Sequence, residues 1–196
     1  MVKYLIFKRV FDVLVSALII FCLLPVFFIV SLLIYLKMGS PVIYSQYRPG
    51  KNCRPFLMYK FRTMSESDNK QMLNDADRIT KLGGFLRSTS LDELPELLNV
   101  IKGDMSLVGP RPLLMEYISR YSEFQMRRHE VLPGISGLAQ VKGRNNLSWY
   151  SKFRYDVLYV DRIGLKMDIA ILLLTIKVVI LRSGFRSHGE SKKFGN

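Results

Sequence analysis

From Val13 to Leu36 the chain carries no charged side chain, and a basic segment containing Lys3, Lys8 and Arg9 precedes this run. Roughly 20 apolar residues cross the hydrocarbon core of a bilayer. The run exceeds the apolar length of a secretory signal and offers no persuasive cleavage site, so it is read as a retained membrane segment. Pro25 divides it almost in half, and a proline inside a helix removes a hydrogen bond and bends the axis. Hydropathy by itself favours a kinked spanning helix over a re-entrant one. Basic residues flank both ends, however: Lys8 and Arg9 before, Lys37, Arg48 and Lys51 after. That symmetry also fits a helix that enters and leaves on one face. Asp12 falls within helical reach of Lys8 and Arg9 and can be paired there.

Beyond the membrane segment the pattern shortens. Val42 to Gln46 and Phe56 to Phe61 read as strands joined through Arg48-Pro49-Gly50-Lys51-Asn52, which predicts a β-hairpin. Ser65 to Asp77 is polar and is expected to be a surface loop, its Asp75 and Asp77 solvated. Ile79 to Leu86 predicts a short helix that delivers Arg87, weakened by Gly83-Gly84. Leu94, Leu97, Leu98 and Ile101 repeat at helical spacing, and Leu113 to Val131 is expected to be mainly helical, with Arg127, Arg128 and His129 as a basic surface. Trp149 to Tyr159 predicts an amphipathic helix packed through Trp149, Phe153, Val157 and Val160. Met167 to Leu181 is apolar but short for a second span, and suits either an interfacial helix above anionic headgroups or a core helix. The sum is an α+β fold, mainly helical, around a small β-hairpin.

Composition narrows the partner. The 196 residues suit one principal domain, and a net charge of +13 with a pI near 9.9 points to something anionic: nucleic acid, acidic lipid or a phosphorylated substrate. No nucleic-acid recognition module is legible, and basic residues beside a membrane segment more simply meet lipid or substrate phosphate. Cys22 and Cys53 give neither metal-ligand spacing nor a disulfide framework. With only His129 and His188, neither a His-rich zinc site nor a Ser-His-Asp arrangement can be assembled. Any chemistry therefore falls to carboxylates.

Those carboxylates stand out between Arg87 and Pro112. Asp92 and Glu93 follow a Ser- and Thr-rich turn and precede the apolar helical set, which places them at a helix N-terminus. Unpaired N–H groups there keep carboxylates ionised and attract phosphate. Ser90 with Glu93 also fits a plain capping box, although Pro95 is better tolerated if the cap is Asp92. Pro110-Arg111-Pro112 presents a guanidinium on a stiff turn. The segment from Pro133 to Asn145 is rich in turn-forming residues, and within it glycine lets backbone approach a phosphate while arginine supplies forked donors. Asp156 lies on the amphipathic helix, where it can simply pair with Lys152, Arg154 or Arg162.

The strings Ser90-Leu91-Asp92-Glu93-Leu94-Pro95, Lys102-Gly103-Asp104-Met105-Ser106 and Gly109-Pro110-Arg111-Pro112-Leu113-Leu114 resemble the monotopic phosphoglycosyl transferases, bacterial enzymes that begin lipid-linked glycan assembly. Tyr59-Lys60-Phe61-Arg62-Thr63-Met64 and the Gly143-Arg144 region match as well, so the resemblance covers nearly the whole chain. It implies transfer of a sugar phosphate from a UDP-sugar to polyprenyl (undecaprenyl) phosphate, with UMP released. It further implies that Asp92 is the nucleophile and a ligand of Mg²⁺, that Glu93 assists the lipid phosphate, and that Lys60, Arg87, Pro110, Arg111, Pro112, Gly143, Arg144 and Asp156 bind substrate. The implied architecture is a re-entrant helix-break-helix over residues 1–38 with its break at Pro25, a catalytic domain over 39–184 with interfacial helices around a cytosolic-face active site, and a basic tail over 185–196. The implied location is the bacterial inner membrane. Family members usually carry serine before the proline, where this chain has Leu24. The tail Lys192-Lys193-Phe194-Gly195 looks most like members that use N-acetylated amino sugars, bacillosamine types among them. Exposed apolar faces near membrane lipid would also suit a homodimer. Competing readings are a membrane glycosyltransferase that releases UDP and a non-enzymatic basic membrane adaptor.

Overall fold

A computed structural model describes residues 2–65, 78–143, 146–180 and 194. Its first element, α1, runs unbroken over Val2–Met38 with Pro25 inside it rather than between two helices. At 1.5 Å per residue such a helix is about 55 Å long if straight. Strands β1 (Ile43–Pro49) and β2 (Pro55–Phe61) pair antiparallel, with Tyr44 opposite Lys60 and Arg48 opposite Phe56. Helix α2 (Lys81–Ser88) and α3 (Glu96–Lys102) follow, joined through a single 3₁₀ turn at Leu91–Glu93. Short strands β3 (Ser106–Val108) and β4 (Gly134–Ser136) pair in parallel. Helices α4 (Glu123–Met126), α5 (Leu138–Gly143), α6 (Trp149–Asp161) and α7 (Leu165–Ile180) complete the fold.

The segment 113–131 is not one helix. Ser122 accepts from the Gln125 N–H while Gln125 Oε1 accepts from the Ser122 N–H, a capping box that starts a new helix and stops the previous 3₁₀ segment. Nor do Arg128 and His129 form a surface: they are buried, and His129 Nδ1 donates to the Gly50 carbonyl at 3.2 Å. Burial, reinforced by the Arg128 charge, lowers the His129 pKa to about 4, so the ring is neutral. The loop expected over 65–77 lies, past Ser65, outside the described residues.

Helix α1 packs on the rest of the chain along its length. Arg9 donates to the carbonyls of Val100 and Ile101 at 2.5 and 2.9 Å, satisfying the open end of α3. Lys8 Nζ lies 2.6 Å from Asp168 on α7 and 3.7 Å from Asp12, while Ser106 Oγ donates to Asp12 at 2.6 Å. Tyr4 and Tyr159 add hydroxyls to the same Asp168 carboxylate, at 2.6 and 2.7 Å. Further along, Val15, Ile19 and Ile20 rest on the main core of Phe56, Met58, Leu97, Val100, Met105 and Tyr159. Near the far end, Val30 and Ile34 are buried with Phe61 and Leu86 in a second cluster. Each such aliphatic side chain stabilises by about 1.5–3 kcal/mol. The opposite face of α1 exposes Leu14, Leu18, Phe21 and Phe28, and only 11% of its most apolar window is covered by protein. A polar seam thus faces the protein at the first half of α1, and an apolar surface faces outward.

Candidate active site

Three elements converge on Asp92 and Glu93. The first is the 3₁₀ turn that carries them, entered through Ser90 in the left-handed region at φ 57°. Ser90 makes no side-chain cap, so the capping box is not formed, and α3 begins only after Pro95. The acidic pair therefore sits one turn ahead of α3, with its geometry set by the reversal at Ser90.

The second element is β2, which supplies Lys60. Buried Asn99 on α3 fixes this strand: its Nδ2 donates to the Leu57 carbonyl at 2.8 Å and its Oδ1 accepts from the Tyr59 N–H at 3.1 Å. Lys60 Nζ then lies 3.0 Å from both Glu93 Oε1 and Glu96 Oε1. Glu96, 1% exposed, was not legible as a site residue, although its spacing of three from Glu93 puts both acids on one side of a helical turn.

The third element is the Pro110-Arg111-Pro112 turn. Arg111 donates through Nη2 to Glu93 Oε1, and its own carbonyl is held from behind by Arg128 Nη2 at 2.6 Å. Arg128 is locked in turn by Asp156, which accepts from Nε and Nη2 at 3.0 and 2.9 Å. Asp156 thus pairs with Arg128 rather than with Lys152, Arg154 or Arg162, and bears on the acidic pair through the backbone of Arg111. Pro110 and Pro112 line a small crevice with Pro49, Arg128 and His129.

Arg87, in the last turn of α2, donates from Nε to Thr63 Oγ1 at 2.9 Å, just past the end of β2. This close approach explains Gly83: a side chain there would collide with the Thr63 carbonyl. Gly143 ends α5, where a Cβ would come within 2.9 Å of the Leu147 side chain. No hydrogen bond joins it to the acidic pair among the described residues, and Arg144 lies outside them.

The electrostatics divide the carboxylates. Burial pushes Glu93 upward, but Arg111 and Lys60 outweigh it and hold the group well below the usual carboxylate range. Glu93 in return raises Arg111 against the opposing effect of burial. Asp92 moves the other way: burial and the neighbouring Glu93 charge raise it, and Lys60, Arg111 and Arg87 offset them only in part. Glu96 is raised by burial, with Lys60 as its partial counterweight. Asp92 is 8% exposed and its carboxylate makes no hydrogen bond among the described residues. The result is an ionised Glu93 that engages the cations and an adjacent carboxylate whose lone pairs are unclaimed.

A family model described as bacterial sugar transferase matches residues 3–182. The chain belongs to that family. This sugar transferase is 47% identical over 194 residues to an uncharacterized sugar transferase, EpsL, of Bacillus subtilis strain 168, covering 97% of this chain and 96% of that one. It is 39% identical over 184 residues to the UDP-glucose:undecaprenyl-phosphate glucose-1-phosphate transferase of Klebsiella pneumoniae, with 88% of this chain and 40% of that protein covered. It is likewise 39% identical over 201 residues to the undecaprenyl-phosphate galactose phosphotransferase of Salmonella typhimurium, covering 90% and 41%. The sugar transferase therefore spans nearly all of the Bacillus protein and about two fifths of the other two. Membership in a transferase family favours an enzyme over the adaptor reading.

Proposed function

We propose that this enzyme transfers a sugar phosphate from a UDP-sugar to polyprenyl phosphate, giving a polyprenyl diphosphate sugar and UMP. The observation that carries the reading is the unclaimed Asp92 carboxylate beside a Glu93 neutralised by Lys60 and Arg111. Relatives named as sugar-phosphate transferases acting on undecaprenyl phosphate support the same reaction.

In the first step an Asp92 oxygen attacks the sugar-proximal phosphorus. The bond to the bridging oxygen breaks, and its electron pair leaves with UMP, so no proton is required. In the second step an oxygen of the lipid phosphate attacks the same phosphorus and Asp92 departs as carboxylate. Glu93 holds Lys60 and Arg111 oriented toward the phosphates, and Arg87 adds charge from the α2 side. Pro110 and Pro112 stiffen the Arg111 turn, Asp156 acts through Arg128, and Gly143-Arg144 would supply further phosphate contacts. The donor set suits Mg²⁺: the ion takes oxygen ligands, and one carboxylate, Asp92, with substrate phosphates and water is an ordinary shell for it. Bound there, it would offset the repulsion between a carboxylate and a diphosphate.

The contacts of α1 support the membrane arrangement proposed here. Tyr4, Lys8 and Arg9 near its start and Val30 and Ile34 near its end contact the same folded body, which favours both ends lying on one side of the bilayer, hence re-entrance. With a cytosolic UDP-sugar and a lipid-dissolved acceptor, the site belongs at the cytoplasmic face of the bacterial inner membrane.

The test is to supply Mg²⁺, polyprenyl phosphate and a panel of UDP-sugars, and to follow UMP and UDP separately. UMP release with steady turnover only in the presence of acceptor is expected; UDP release would establish glycosyl transfer instead. Asp92→Asn should lose at least about three orders of magnitude in turnover and form no covalent phosphosugar adduct by mass spectrometry. An adduct in that variant would remove Asp92 as nucleophile.

A further inference from the structure

Arg48 has no role in the mechanism above, yet its surroundings are those of a ligand-binding group. It lies on β1 opposite Phe56, four residues from Tyr44, which stands opposite Lys60. Side chains of cross-strand partners share a face, and alternate residues along a strand share it too, so Arg48, Gln46 and Lys60 project from one side of the hairpin. That side is the one closed over the core by Phe56 and Met58. Arg48 Nη2 donates to Gln46 Oε1 at 2.7 Å, a neutral partner that orients the guanidinium without consuming its charge.

No carboxylate pairs with Arg48 among the described residues, and its Nε is buried with no acceptor. A buried donor left unmade costs about 1–3 kcal/mol, a cost a stabilising scaffold would ordinarily avoid. Nearby stands another guanidinium: burial first, and then the Arg111 charge, hold Arg48 below its ordinary pKa, and Lys60 feels the same Arg111. Pro49, the next residue along β1, lines one crevice with Arg111, so Arg48 and Lys60 both stand near the Arg111 guanidinium. Such a group of cations, with Arg48 lacking a paired carboxylate among the described residues, matches a substrate that carries a second phosphate beyond the reacting one.

We propose that Arg48, oriented by Gln46, binds the nucleotide-side phosphate of the UDP-sugar, the group that departs as UMP. The inference rests on the phosphosugar transfer proposed above. As the bond from the reacting phosphorus to the bridging oxygen breaks, the electron pair moves onto the phosphate of UMP, and Arg48 with Arg111 meets the charge that develops there. The lipid phosphate, which arrives after UMP has left and attacks the proximal phosphorus, makes no use of Arg48.

The experiment measures product inhibition by UMP, kcat/KM for the UDP-sugar and KM for the lipid acceptor in wild type, Arg48→Ala, Arg48→Lys and Gln46→Ala. Arg48→Ala should weaken UMP inhibition and lower kcat/KM for the UDP-sugar by about tenfold or more, with the acceptor KM within about twofold of wild type. Arg48→Lys should recover part of the loss, and Gln46→Ala should shift UMP inhibition in the same direction by a smaller factor. Should Arg48→Ala fail to fold, Arg48→Lys and Gln46→Ala still decide the matter, since unchanged UMP inhibition in both overturns the proposal. Equal weakening toward UMP and acceptor would also overturn it, because the residue would then be structural. Wild-type enzyme that releases UDP or is indifferent to UMP would bring down the reaction itself and this inference with it. Wild-type enzyme inhibited by UMP, with Arg48→Ala inhibited equally, would bring down the Arg48 assignment alone.

Discussion

Neighbouring carboxylates in one site behave differently because their cations are not shared evenly. Glu93 accepts from both Lys60 and Arg111, whereas Asp92 is left with burial and the charge of Glu93, both of which raise it. Attack requires ionised Asp92, so the first half-reaction should fade as pH falls through a value above the ordinary aspartate range. Replacing Glu93 by Gln removes the neighbouring negative charge and frees the cations, so the acid limb should move to lower pH. A UMP burst followed without acceptor across pH isolates this step from attack by the lipid phosphate; an unmoved or raised acid limb would contradict the assignment. At this scale the sequence was informative where residues stand in contiguous strings: Asp92, Glu93 and Arg111 stand out there, and in the fold Lys60 and Arg111 both reach Glu93. The roles of Glu96, Asn99, Thr63 and Arg48 were not legible, because they come from contacts between strands and helices far apart in the chain.

Among elements, α2 shows how a poor helical sequence can be the required one. Gly83-Gly84 lowers helix propensity, yet only glycine lets α2 lie on the Thr63 backbone and place Arg87 against Thr63 Oγ1. Gly83→Ala should therefore destabilise by about 1–3 kcal/mol despite its gain in propensity, as overpacking does. The measurements are thermal melting and UDP-sugar turnover, both of which should fall; an unchanged melting point would show that α2 tolerates displacement. The hairpin, α2, α6 and α7 were legible from periodicity and turn residues. The segment 113–131 was misread because a capping box at Ser122, itself readable from Ser122 and Gln125, divides a stretch whose composition resembles one helix. Burial of Arg128 and His129 was illegible for a different reason: their partners, Asp156 and Gly50, come from remote parts of the chain.

For the whole molecule, the apolar run was legible as one long helix apolar enough to cross a membrane, but how α1 meets the protein was not. Lys8, Asp12 and Ser16 repeat at helical spacing on its buried side; the Lys8–Asp12 pairing was legible from that spacing, whereas the ties to Asp168 on α7 and to Ser106 were not. If both ends of α1 lie on one side of the bilayer, single cysteines placed near Lys3 and near Gly164 in a Cys22- and Cys53-free background should react with an impermeant thiol reagent from the cytoplasmic side alone. Reaction of the pair from opposite sides would establish a spanning helix.

The same seam bears on how such an enzyme can be handled. Cutting the chain after Met38 would not release a self-sufficient water-soluble enzyme. It would strip Lys8 and Tyr4 from Asp168, uncap the end of α3 that Arg9 closes, and bare the Phe61 and Leu86 surface that Val30 and Ile34 cover. What remains would carry an acid stripped of its cation and an open apolar face, and should precipitate rather than dissolve. The anchor and the catalyst are in this sense one folding unit, so detergent or lipid belongs in every preparation from extraction onward.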